Sequence, residues 1–312
     1  MDLGTRRADL RFGRTLTAVI AVSVLTLAGC RSRQEPDELR FDTEFSSAEN
    51  TESVETFPDQ SLSADLEAIH AAESRNESIV ARLAAGEPPI AGPIEVATAL
   101  EADVFVFVNA ALTGESQWFP NPTQFGGPRV FRVLDSTTHP SAIQISLPIK
   151  PNGQTGWISR DAVDLSSIEH QVLVNLEHDS VTVWDGDKVM THMPAVTGTA
   201  WTPTPTGIFY MRDVIRRNNP DGAYGSHILA LSGYSEVLDS FAGGLPAIAI
   251  HGTNKPDTMG QERSNGCVRL PNEVIEQLAD NLPLGTPVTI VSSTTSPGFG
   301  QLSDRVGGRR LF

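Results

Sequence analysis

The chain has 312 residues, with 23 Lys and Arg against 38 Asp and Glu and a net charge of −15. An acidic chain gains nothing from releasing counterions along a phosphate backbone, so nucleic acid is excluded as a partner class. Hydrophobic residues at 39% allow a folded core, in about two domains at this length, while the two cysteines, Cys30 and Cys267, exclude a disulfide-rich scaffold and a Cys-only zinc site.

Residues 1–29 read as a targeting segment. Arg6, Arg7, Arg11 and Arg14 precede an apolar run, Leu16 to Ala28, that is too short to span a membrane comfortably. The run ends in Leu27-Ala28-Gly29-Cys30, which resembles the bacterial lipoprotein cleavage box. That resemblance implies a lipid on Cys30, export, and anchoring to the cell membrane facing the wall. Loss of four Arg with Asp2 and Asp9 would leave a mature charge of −15 − 2 = −17.

Residues 30–60 are polar and acidic, with too little apolar surface to offset chain entropy, and are expected to form a disordered tether. Within 61–93, Ser63 to Ala85 carries Leu66, Ile69, Ala72, Ile79 and Leu83 near helical spacing. Gly86, Pro88, Pro89, Gly92 and Pro93 then stop the helix.

Residues 94–165 read as a small β module, with strands at 104–108, 130–134 and 142–147. Asn152-Gly153 turns into a further strand carrying Trp157. The segment resembles the bacterial SH3-like modules found beside cell-wall enzymes, and the stretch from Leu147 to Trp157 resembles one upstream of some actinobacterial catalytic domains. It would serve either as a spacer or as a wall-ligand binder.

Residues 168–292 are again β-rich. Strands are expected at Gln171 to Leu176, Ser180 to Trp184, Lys188 to Met190, Ile208 to Met211, Ala247 to Ile250 and Thr286 to Val291. Val274, Ile275, Leu278 and Leu282 form the apolar stripe of one clear helix, about 272–282, for which Asn272 is a suitable N-cap. The tail, 293–312, is Ser/Thr/Gly-rich and reads as loose.

The chemistry concentrates in His251-Gly252-Thr253 and, further on, Ser264-Asn265-Gly266-Cys267-Val268-Arg269. A free thiol is mostly protonated at neutral pH, and an imidazole beside it can take the proton as a nucleophile needs. Gly266 permits an unusual backbone angle beside the thiol, and the turn through Asn265 can aim N–H groups at an oxyanion. In an extended stretch Arg269 shares a face with Cys267 and can hold a substrate carboxylate. Tyr224 and His227 lie in a Gly-rich segment and are candidates for a substrate groove. No His-Glu-x-x-His pattern and no third cysteine is present, so no metal site is expected.

This run closely resembles the active-site signature of the YkuD-type L,D-transpeptidases, over about 168–292. Thr204-Pro205-Thr206-Gly207 is similar to that family's Thr-Pro turn. The resemblance implies Cys267 as nucleophile, His251 as general base and the Gly252 backbone carbonyl as the group that orients the imidazole. Ser264 and Arg269 fall on supporting positions, while Asn265 stands where many members carry His. The implied fold is mainly β, an SH3-like module followed by a YkuD-like catalytic domain with one clear helix. The implied activity is 3→3 cross-linking of peptidoglycan stem peptides through a cysteine thioester, by a monomer, without cofactor, and with carbapenem-type lactams as acylating agents. An L,D-carboxypeptidase and a non-catalytic peptidoglycan-binding lipoprotein are the alternatives.

Overall fold

The computed structural model describes residues 78–241 and 243–292. The targeting segment with Cys30, the tether, the first part of the expected 63–85 helix and the tail lie outside the described residues. What is described of that helix, α1, covers 78–84 and ends before Gly86, which has a φ of 73°. Its Ile79 and Leu83 are buried with Leu173 and Trp184. Among the described residues no helix is long and apolar enough to cross a membrane.

The first sheet is built from β1 (Ile94–Ala99), β2 (Asp103–Phe107), β3 (Ser116–Pro120), β4 (Val130–Asp135), β5 (Ala142–Ser146), β6 (Thr155–Ser159) and β7 (Val163–Ile168). Its order is β3-β2-β6-β5-β4-β1-β7. Alternation does the sorting: Val104 and Val106 turn inward to a core with Phe119, Phe131, Ile143, Ile145 and Ile158, while Phe105 points out. β7 pairs with β1 along its whole length, from Ile94↔Ile168 to Ala99↔Val163. The small sheet therefore runs to Ile168.

The second sheet has ten strands in the order β10-β9-β8-β17-β12-β13-β14-β16-β11-β15. These are β8 (His170–Asn175), β9 (Ser180–Asp185), β10 (Lys188–Pro194), β11 (Val196–Gly198), β12 (Gly207–Arg216), β13 (His227–Tyr234), β14 (Ala247–His251), β15 (Gln261–Ser264), β16 (Val268–Arg269) and β17 (Pro287–Val291). One core joins Val172, Val174, Val181 and Val183 to Leu229, Leu231, Ile248, Ile250 and Val268. Helix α2 (Asn272–Asn281) completes it with Val274, Ile275 and Leu278.

The two sheets are fastened by apolar and polar contacts. Val96 and Val130 pack on Tyr210, and the Gly285 backbone lies so close to Val96 that a Cβ there would sit 2.5 Å from a Val96 methyl. Asn152 does more than turn the chain: its carboxamide accepts from Tyr234 N at 2.9 Å and donates to Tyr234 O at 2.8 Å, as a strand neighbour would. The Tyr234 hydroxyl donates to Pro148 O at 2.8 Å. On β12, the buried Asp213 carboxylate accepts from Thr123 Oγ1. A buried carboxylate that loses a donor loses part of what offsets its desolvation cost. Thr123→Val, nearly isosteric, should therefore lower the unfolding free energy by about 1–3 kcal/mol, as measured by urea denaturation; an unchanged midpoint would mean that Asp213 does not need this donor.

Candidate active site

Strand β14, Ala247-Ile248-Ala249-Ile250-His251, is buried along its whole length. Ile248 and Ile250 enter the main core, so alternation carries Ala247, Ala249 and His251 to the other face. β16 pairs with β14 in parallel, Ile250↔Val268 and His251↔Arg269. One step back along this register Cys267 falls beside Ala249. Thiol, imidazole and guanidinium thus project from one face, and the small side chains of Ala247 and Ala249 leave space for the sulfur. Sγ donates weakly to Ala247 O at 4.0 Å.

The turn before Cys267 is tightly wired. Ser264 Oγ donates to Cys267 O at 2.5 Å and accepts from Gly266 N at 3.0 Å. Gly266 has a φ of 112°, and a Cβ there would press on Ile248 Cδ1 at 3.2 Å, so both conformation and space demand glycine. Because its N–H is taken by Ser264, Gly266 does not supply the oxyanion donor that the sequence suggests. The Thr-Pro turn braces the same loop: Ser264 O accepts from Thr199 N at 3.2 Å and from Thr202 Oγ1 at 3.1 Å. Asn265 is exposed.

His251 is 3% exposed, and its Nδ1 lies 2.6 Å from Gly252 O. A carbonyl only accepts, so Nδ1 carries the proton and Nε2 keeps its lone pair. Burial drives the imidazole pKa down to about 4; the Gly252 backbone opposes this, Arg269 adds to it, and the Tyr224 backbone opposes it again. Burial pushes the Cys267 thiol up, against the Ala249 backbone and Arg269. The two groups do not hydrogen bond to one another and rest as neutral imidazole and neutral thiol rather than as an ion pair.

Tyr224 stands over His251, with the two ring centroids 4.9 Å apart. Burial, and then the charge of a Cys267 thiolate, push its hydroxyl up to about 12, against Arg217 and Arg269. It stays a proton donor throughout the neutral range. The Arg269 Nε is buried without a hydrogen-bond acceptor. His227 belongs to the site only through its backbone, its carbonyl accepting from Gly252 N at 3.1 Å. Ile228 is the residue paired with His251, so alternation turns the His227 side chain to the opposite face. Its place in a groove with Tyr224 is not what the fold gives.

Asn272 departs furthest from the sequence reading. Pro271 occupies the N-cap of α2, and Asn272 is already inside the helix. Its Oδ1 accepts from Ser226 N and Thr253 N, both at 3.2 Å, and its Nδ2 donates to Pro220 O at 3.0 Å. The preceding proline was the signal available in the sequence, since a helix so often opens with proline at its border. Among the described residues no group of three or more His, Cys, Asp or Glu gathers to hold a metal ion.

Residues 169–290 match the family model of the L,D-transpeptidase catalytic domain, YkuD. The putative L,D-transpeptidase YkuD of Bacillus subtilis is 34% identical over 150 residues, covering 46% of this chain and 83% of the relative. An L,D-transpeptidase from Mycobacterium smegmatis of known structure is 18% identical, with a TM-score of 0.33 over 52% of this chain and 82% of the other. For the Ldtfm–avibactam carbamoyl enzyme the values are 23% and 0.32, over 40% of this chain and 49% of the other, about half its length.

The depressed imidazole pKa has a consequence for stability. Unfolded His251 takes up a proton near pH 6.5, whereas the folded residue resists down to about 4. The unfolded state binds more protons in that window, so stability falls as pH is lowered from 6.5 to 4, by at most about 3 kcal/mol from this group. The unfolding free energy of the wild type minus that of His251→Gln, measured at several pH values, should shrink across that window. A constant difference would show that His251 titrates normally in the fold.

Proposed function

Because the chain belongs to the family of YkuD-type L,D-transpeptidases, we propose that it transfers acyl groups between peptidoglycan stem peptides with Cys267 as nucleophile and His251 as general base. The observation that carries this reading is the parallel pairing of β14 with β16, which presents the thiol and an Nδ1-protonated imidazole on one sheet face.

In the first half-reaction Sγ attacks the carbonyl of the third residue of a tetrapeptide stem, and the thiol proton passes to His251 Nε2. A neutral imidazole with a pKa of about 4 is a weak base for a thiol whose own pKa is raised. Proton transfer is uphill in the resting site and proceeds as the C–S bond forms and charge moves to the carbonyl oxygen. The Cys267 N–H faces that oxygen as an oxyanion donor. The same mismatch makes the imidazolium a strong acid, suited to protonate the departing amine of the terminal D-alanine. A thioester on Cys267 remains. An amine of a second stem then attacks the thioester carbonyl, His251 takes its proton, and the thiol leaves and is reprotonated. The products are a 3→3 cross-linked dimer and free enzyme.

Intact-protein mass spectrometry after exposure to a carbapenem-type lactam should detect one covalent adduct, absent in Cys267→Ala. With a stem tetrapeptide and an amine acceptor the wild type should yield the cross-linked product. Tripeptide alone would make the protein a carboxypeptidase, and neither adduct nor product would overturn the assignment of the nucleophile.

We also propose that the chain is exported and held at the cell membrane by lipid on Cys30, on the strength of the basic, apolar and Leu-Ala-Gly-Cys pattern of residues 1–30. Metabolic labelling with a fatty-acid analogue should mark the wild type and not Cys30→Ser; an unlabelled wild type would remove the anchor.

A further inference from the structure

A base that depends on one tautomer needs something to hold the carbonyl that selects it. His251 Nδ1 bonds to Gly252 O at 2.6 Å. That carbonyl is one end of the Gly252–Thr253 peptide group; the other end is the Thr253 N–H, which donates to Asn272 Oδ1 at 3.2 Å. The same oxygen holds Ser226 N at 3.2 Å, two residues beyond Tyr224, whose ring lies against the imidazole. Nδ2 ties the knot to Pro220 O at 3.0 Å.

Space points the same way. A Cβ on Gly225 would sit 2.1 Å from Asn272 Oδ1, and one on Gly252 2.2 Å from it. The two backbones also touch: the Gly225 Cβ would come within 2.4 Å of Gly252 Cα. Two glycines thus give up their side chains where the carboxamide enters. An amide in the first turn of a helix could serve solvent or its own backbone; this one is spent entirely on two loops flanking the base.

We infer that Asn272 is a positioning residue for the reaction: it fixes the Gly252–Thr253 peptide plane, so that the carbonyl end keeps the proton of His251 on Nδ1 and the Nε2 lone pair free for the thiol. The inference rests on His251 as the base, but it concerns a tautomer that can be read without turnover. Aspartate in place of Asn272 keeps an acceptor for both N–H groups and loses only the donor to Pro220; alanine loses everything.

Histidine-selective 15N spectra at neutral pH, with His251 assigned by its loss in His251→Gln, read the tautomer directly. Wild type and Asn272→Asp should show His251 protonated at Nδ1, whereas Asn272→Ala should show it shared between the two nitrogens. The rate of acylation by a carbapenem-type lactam should fall about 100-fold in Asn272→Ala, the scale of a 1 Å misplacement, with little change in the half-saturating lactam concentration. Asn272→Asp should recover most of that rate. An unaltered tautomer in folded Asn272→Ala overturns the inference, whatever happens to the rate. If alanine does not fold, Asn272→Ser, whose oxygen reaches less far, replaces it under the same criterion. If the wild type takes no lactam, the proposed activity fails, and the spectra still decide the role of Asn272.

Discussion

Everything in the site follows from one pairing of unequal strands. β14 is a five-residue buried strand and β16 only two residues long, yet they run in parallel. Parallel neighbours cannot be joined by a tight turn; the chain must leave the sheet and come back from the same end. The polar stretch between His251 and Cys267 is that return path. It forms a short 3-10 turn at Pro256–Thr258 and then β15, which pairs with β11 on the far side of β16. The separation of His251 and Cys267 in sequence is therefore a crossover length.

The support for this arrangement is polar as well as apolar. Ile248, Ile250, Val268 and Leu270 fill the core beneath the site, and α2 closes it. Above the sheet the loops are held by side chains acting as strand neighbours: Ser264 within the nucleophile turn, Thr202 and Thr204 from the Thr-Pro loop, and Asn272 between the two glycine backbones. Asn152 does the same at the far end of β13, the strand next to the base-bearing one. Each such bond is worth only about 1 kcal/mol net, but leaving its buried N–H without an acceptor costs more. That asymmetry keeps irregular loops in one geometry.

Much of this could be read from the chain. Strand-like apolar runs announced β2, β4, β5, β8 and β9, the continuous apolar run of β14 announced a buried strand, and the glycine before Cys267 announced a special turn. An extended run after the thiol put Arg269 on its face, where the register has it. What stayed hidden depends on partners distant in sequence. Ile94–Ala99 and Val163–Ile168 look unremarkable singly and become strands because each completes the other. His227 seemed suited to a groove, but its neighbour Ile228 is the residue paired with His251, and alternation turns His227 to the other face. Gly266 offered an N–H that a serine two residues earlier consumes. Asn272 looked like a cap because capping is local, whereas its actual acceptor and donors come from two loops distant in sequence.

The protonated resting thiol bears on more than catalysis. Peroxides and disulfides react with thiolate, and their rate follows the fraction ionised. A cysteine whose pKa is raised by burial, rather than lowered by an imidazolium partner, offers oxidants little of that form. Cys267 is the free cysteine among the described residues and only partly covered. The burial that keeps the proton on this sulfur thus also leaves little thiolate for an oxidant to meet.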